Sequence, residues 1–264
     1  MSNVNQKIIL LVECISEFLG TGLIVFFNSS YIALMQLIYK SENSLWEFSC
    51  ILGISTCTAI YLSSFISSKV HLNPIITLSF FLLFNFKKNK IIPYIISQTL
   101  GSFFSSVIVY ESYYDILIKF EKQNKILRGS IDSLSLASIF SFFPNKNIDI
   151  KNIFVIETII TFIFVLIIIF LKSQQKFFIS NNILSPILIG TLIFILNIII
   201  SPLTAFTLNP AQDIGSRLFI YFSGWGNMAF TGGVGITSFI IPILGTIFGT
   251  IMSVCFYKFI KFKI

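Results

Sequence analysis

Two short polar clusters interrupt apolar runs that would otherwise read as membrane spans. One reads His71-Leu72-Asn73-Pro74-Ile75-Ile76-Thr77. The other reads Thr207-Leu208-Asn209-Pro210-Ala211-Gln212-Asp213-Ile214-Gly215-Ser216-Arg217. Lipid does not tolerate such groups, so they must face protein or a water-filled path. Their grammar is that of a helix start. Asn73 and Asn209 are good N-caps, Pro74 and Pro210 suit the first turn, and Asp213 falls near the positive end of a helix dipole. If two half-length helices enter from opposite faces, their N-termini meet near the midplane and point at one spot. The capping amides can then donate N–H groups to a passing neutral solute with oxygen acceptors, such as water or a polyol. The same field repels cations, hydronium included.

The elements that must position these clusters are membrane spans. The chain of 264 residues is 55% hydrophobic and only 11% charged, against about a quarter charged in a soluble domain. Its mean hydropathy is +0.89, and several apolar runs reach the roughly 20 residues that cross a bilayer. The net charge of +7 does not indicate a nucleic-acid partner. Lysines flank the apolar runs, as expected of loops on the cytoplasmic side. Cys14, Cys50, Cys57 and Cys255 lie inside apolar segments without ligand spacing, which predicts small core residues rather than disulfides or metal ligands. No metal or cofactor is expected, and one His with scattered Cys does not make a membrane-embedded enzyme.

Full spans are predicted at about 8–27, 46–67, 91–110, 153–171, 183–200 and 236–260, with half-spans at 71–84 and 209–222. The order in each half is span, span, half-span, span. Asn73 and Asn209 are 136 residues apart, and Glu17 and Glu157 are 140 apart, so the halves are in register. Three full spans per half make the second half start on the opposite side. This is an inverted-topology repeat, in which paired interrupted segments mark the functional site. The prediction is one channel domain over 1–264, with repeats at about 8–111 and 151–260 joined by an external connection at about 112–150. Lys87, Lys88, Lys90, Lys172 and Lys176 fall on one side with both termini, which places the termini in the cytoplasm.

These motifs resemble the aquaporin superfamily, specifically its bacterial glycerol facilitator branch. The resemblance runs from Ser16-Glu17-Phe18-Leu19-Gly20-Thr21-Gly22 to the end of the last span. Asn73-Pro74-Ile75 and Asn209-Pro210-Ala211 correspond to the family's paired Asn-Pro-Ala boxes. Asp213, Arg217, Pro242, Phe142-Phe143-Pro144 and Gly224-Trp225-Gly226-Asn227 resemble the glycerol branch. The resemblance implies an all-α polytopic membrane protein of six transmembrane helices plus two re-entrant half-helices. It also implies a homotetramer in the inner, cytoplasmic membrane, with one pore per subunit. Transport would be passive, of glycerol, other small polyols, urea-like solutes and water. Glu17 and Glu157 would brace the loops carrying the half-helices, His71 would line the pore, and Asp213 and Arg217 would support the second half-helix.

The chain departs from that pattern at the family's narrowest point. There, Trp, Gly, Phe and Arg are replaced by Leu52, Asn197, Phe206 and Gln212. Gln212 offers an amide donor and an acceptor but no charge, which weakens the barrier to cations. Ile75 in place of Ala is expected to crowd the midplane, and Lys69 to snorkel toward the cytoplasmic mouth. Two alternatives accompany the channel reading. A secondary active transporter would need coupling-ion ligands, for which Glu17 and Glu157 are the carboxylates deep within spans. A non-conducting structural member of the same superfamily would pass no solute.

Overall fold

The computed structural model describes residues 3–41, 44–173, 184–204 and 206–263. Lys176 and the first residue of the predicted fifth span, Ile183, lie outside the described residues. In chain order the helices are α1 (Asn3–Ala33), α2 (Leu45–Ile66), α3 (Pro74–Leu83), α4 (Ile91–Asn124), α5 (Leu134–Ala137), α6 (Ile150–Ser173), α7 (Leu184–Ile200), α8 (Pro210–Ile220), α9 (Met228–Thr231) and α10 (Thr237–Lys263). No strand occurs among the described residues.

The helices containing α1, α2, α4, α6 and α10 are long and apolar enough to cross a membrane. α7 supplies 17 residues, or about 25 Å of rise, directly after the undescribed segment. α3 and α8 have 10 and 11 residues and reach about half of a ~30 Å hydrocarbon core. The protein is an α-helical membrane protein whose apolar residues also cover its outside: Ile54, Phe65 and Ile92 are more than 60% exposed.

α4 runs to Asn124, well past the predicted end at 110. Hydropathy falls at Glu111, but the helical pattern does not. Glu111, Asp115 and Lys119 recur every four residues, the spacing of one helix face, so the helix continues out of the apolar layer. The connection after α4 also reaches the central cavity. It returns through Ile139, Phe140, Ser141 and Phe142 to form part of the central cavity wall.

Packing is paired. α1 packs on α2 and α4, α6 on α7 and α10, and α2 against α7. Small residues make the seams. Gly101 lies against the backbone of Phe18, and Gly249 against the carbonyl of Thr158. A Cβ on Gly53 would sit 2.7 Å from the Gly190 carbonyl oxygen. Close backbone approach of this kind replaces the hydrophobic effect as the source of helix association in lipid.

Candidate functional site

The two half-helices meet tip to tip. Asn73 caps α3 by accepting from the N–H of Ile75 at 3.0 Å, and Asn209 caps α8 by accepting from the N–H of Gln212 at 3.4 Å. Each cap also reaches across. Asn73 Nδ2 donates to the carbonyl of Leu208 at 2.8 Å, and Asn209 Nδ2 donates to the carbonyl of Leu72 at 2.7 Å. An amide nitrogen carries two protons, so each asparagine keeps a second N–H. Both asparagines line the central cavity. The cavity thus faces two aligned donors at the positive ends of two helix dipoles.

Buried carboxylates hold the loops that deliver these tips. Glu17, fully buried in α1, accepts from the N–H of His71 at 2.6 Å, the N–H of Leu72 at 2.7 Å and Gln98 Nε2 at 2.6 Å. Glu157 in α6 accepts through Oε1 from Thr204 Oγ1 at 2.7 Å and the N–H of Thr207 at 3.0 Å. Thr204 Oγ1 in turn accepts from the N–H of Phe206 at 2.9 Å. These bonds hold backbone that is unfavourable on its own: Leu72 and Phe206 have φ of 55° and 49°. Left-handed conformations at such residues persist only where surroundings over-determine them.

The cavity has a volume of about 190 Å³. Its apolar lining includes Ile24, Leu52, Ile76, Phe164, Ile193 and Phe206, and its polar lining includes His71, Asn73, Asn209, Gln212, Asp213 and Ser216. A lining of mixed character matches a small solute that carries both carbon and hydroxyl groups. Three of the four predicted constriction residues, Leu52, Phe206 and Gln212, line the cavity together. Asn197 is not among the lining residues; its Oδ1 accepts from Ser49 Oγ at 2.8 Å and the side chain is buried behind the wall. Ile75 also turns away. It is 1% exposed within the hydrophobic core, so its added bulk fills protein interior rather than the midplane of the cavity.

His71 packs its ring against Phe80, Phe86 and Tyr94 at 4.7, 4.8 and 5.2 Å, with Nδ1 3.1 Å from Thr77 Oγ1. Arg217 is fully buried and outside the cavity wall. It donates to Asp213 Oδ1 at 2.7 Å, the carbonyl of Ala229 at 2.7 Å and the carbonyl of Phe142 at 2.6 Å. Its guanidinium lies 4.7 Å from the Phe143 ring centroid and 5.4 Å from that of Phe239. Asp213 also accepts from Ser141 Oγ at 2.7 Å, and so ties α8 to the returning connection. Pro74, Pro210 and Ala211 occupy the first turns behind the capping asparagines.

The lining also includes residues that the sequence motifs do not single out, Asn28 and Ser141 among them. Asn28 in α1 lies 3.1 Å from Ser55 Oγ and lines the cavity, as does Ser141. The signal for Asn28 was present, since a lone amide in an apolar span faces the interior by default. Ser141 carries no such signal, because nothing local separates it from its neighbouring serines. Elsewhere in α1, buried Glu13 pairs with Lys90, and Lys69 Nζ lies 3.9 Å from Glu13 Oε1. Lys90 is therefore a paired, buried charge rather than a free loop lysine.

Residues 5–257 match the family described as Major intrinsic protein. The chain is 40% identical over 246 residues to the glycerol uptake facilitator protein of Escherichia coli (strain K12), covering 93% of this chain and 86% of that one. It is 42% identical over 249 residues to the glycerol uptake facilitator protein of Buchnera aphidicola subsp. Acyrthosiphon pisum, covering 94% of each. It is 37% identical over 247 residues to a propanediol uptake facilitator of Salmonella typhimurium, covering 94% of this chain and 92% of that one. The fold is similar to the X-ray structure of the aquaglyceroporin from Plasmodium falciparum. The TM-score is 0.79 at 23% identity, over 94% of this chain and 95% of that one.

Proposed function

The chain belongs to the Major intrinsic protein family, and from that premise we propose that it is a passive channel for glycerol. The observation that carries the reading is the reciprocal clasp of Asn73 and Asn209 at a cavity lined by both apolar and polar side chains. Names of relatives that are glycerol uptake facilitators support the solute. Glycerol presents three hydroxyls along one edge and a carbon backbone along the other. The hydroxyls exchange hydrogen bonds with Gln212 and the asparagine amides, while the carbons slide along Leu52 and Phe206. Other small polyols, urea-like solutes and water share the path. The constriction is formed by Leu52, Phe206 and Gln212, with Asn197 fixing the wall behind them. His71 lines the inner part, and Glu17, Glu157, Asp213 and Arg217 hold the loops and the second half-helix in place.

The chain is one channel domain of two inverted halves, at about 8–111 and 151–260. The corresponding roles of Glu17 and Glu157 support that division. It sits in the inner, cytoplasmic membrane with both termini in the cytoplasm, as a homotetramer embedded in lipid, and has no catalytic role. Stopped-flow light scattering on proteoliposomes in glycerol, urea and water gradients tests this function. Permeabilities equal to those of empty vesicles would refute it and favour a non-conducting structural member. Uptake against a gradient driven by sodium or protons would instead favour the active-transporter alternative.

A further inference from the structure

Asn28 is a neutral amide within the apolar helix α1, and the function proposed above gives it no part. It is 7% exposed and lines the cavity. Ile24 and Ile32 line the cavity with it, and their four-residue spacing makes one helix face. The amide therefore belongs to the face that α1 turns to the cavity. Its level is set by α2. The Ser55 hydroxyl lies 3.1 Å from Asn28 Oδ1 and 3.0 Å from the carbonyl of Leu52. Leu52 also lines the cavity and is one of the constriction residues, so Ser55 holds the amide beside the constriction.

The amide has unused hydrogen-bonding capacity. Ser55 carries one hydroxyl proton and has two acceptors within reach, so it serves one of them at a time. When it donates to Asn28 Oδ1, both N–H groups of Asn28 are left over. The contact with Ser55 is the one hydrogen bond that this side chain makes among the described residues. When Ser55 donates to the Leu52 carbonyl instead, the amide turns and gives one N–H to Ser55 Oγ. It then keeps its second N–H and its carbonyl oxygen. Either way, at least one N–H remains on a buried side chain that lines the cavity. A donor buried without a partner is costly, and a molecule in the cavity with an oxygen acceptor supplies the partner.

We propose that Asn28 is a solute-binding and specificity-determining residue, whose amide joins Gln212 at the constriction and binds a second hydroxyl of a polyol. The assignment rests on the channel reading above. Ser55 is a positioning residue that does not itself touch the solute. The test uses the full chain in proteoliposomes, with glycerol, propane-1,2-diol and water permeabilities measured on the same preparations. Asn28→Leu keeps the size of the side chain and removes its donors. It should lower glycerol permeability relative to water about two- to tenfold, the worth of one hydrogen bond. The loss should be smaller for propane-1,2-diol, which has the same carbon chain and one hydroxyl fewer. Asn28→Ala cannot obstruct the path and should lower the glycerol-to-water ratio as well. Ser55→Ala removes the tie between α1 and α2 but leaves the amide, and should change the ratio only slightly. A ratio unchanged or raised in Asn28→Ala would overturn the assignment, because the side chain would then only fill space. A loss in Ser55→Ala equal to that in Asn28→Leu would overturn it too, because the amide would then act only as a tie between helices. Absence of glycerol flux in the unmodified protein would overturn the channel reading, and the assignment with it.

Discussion

Glu17 and Glu157 occupy corresponding places, but the structure predicts that they will not tolerate the same replacement. At Glu17 both oxygens accept: Oε1 from the His71 N–H, and Oε2 from the Leu72 N–H and Gln98. Glutamine has one acceptor oxygen and one NH2 group. Whichever way it turns, the NH2 faces a backbone N–H that has nowhere else to go. Gln98 can rotate to meet a new donor, since its own Oε1 has no partner among the described residues, but a backbone amide cannot. One buried, unsatisfied N–H costs about 1–3 kcal/mol, and the surviving bonds lose their charge assistance. Glu17→Gln should therefore destabilise by roughly 2–4 kcal/mol. At Glu157, Oε1 takes both the Thr204 hydroxyl and the Thr207 N–H, while Oε2 has no partner among the described residues. A glutamine there can aim its oxygen at both donors, so Glu157→Gln should cost about 1 kcal/mol or less. Thermal unfolding in detergent, paired with glycerol flux in proteoliposomes, reads the contrast. Glu17→Gln should melt on the order of 5 °C or more below Glu157→Gln and lose most of its flux. If the two variants are indistinguishable, or Glu157→Gln is the worse, the strut geometry is wrong.

Three further outcomes follow from named contacts. Asp213→Ala removes the carboxylate partner of fully buried Arg217 and should cost about 3–5 kcal/mol, seen as lower yield of folded protein and an earlier thermal transition. Gly215→Ala puts a Cβ against the Thr99 carbonyl and 2.7 Å from Ser102 Cβ. Overpacking of about 1–3 kcal/mol should push α8 off α4, break the 2.7 Å bond from Ser102 Oγ to the Gln212 carbonyl, and lower glycerol flux; full flux with an unshifted melt would refute it. Gln212→Arg should lower cation leak while glycerol still passes, and an unchanged leak would argue against position 212 as part of the constriction.

The tips of the half-helices were legible in sequence because their signals are local: an N-cap followed by proline, embedded in apolar sequence. Glu17 and Glu157 were legible for a related reason, since a carboxylate deep in a span must find donors. What lay beyond reach depends on rotation and on distant partners. Asn197 is polar in an apolar helix, and nothing local says whether it turns to the cavity or to Ser49. Ile75 differs from the family pattern, yet a few tens of degrees around α3 decide between crowding the cavity and filling the core. The end of α4 at Asn124 is not legible in hydropathy, which reports the edge of the lipid and not the end of the helix. The lining by Phe140 and Ser141 comes from a connection whose path is set only by the elements it closes over.

The reciprocal clasp of Asn73 and Asn209 has a consequence for biosynthesis. Each amide needs a carbonyl from the other half, and the two asparagines are 136 residues apart. At about 5–20 residues per second of translation, the first tip exists for roughly 7–27 s before its partner has been made. During that interval Asn73 and the Leu72 carbonyl must be served by water or by the translocation machinery. The first half then enters the bilayer as an unfinished object, and the protein becomes watertight around its path only when the second tip closes on the first.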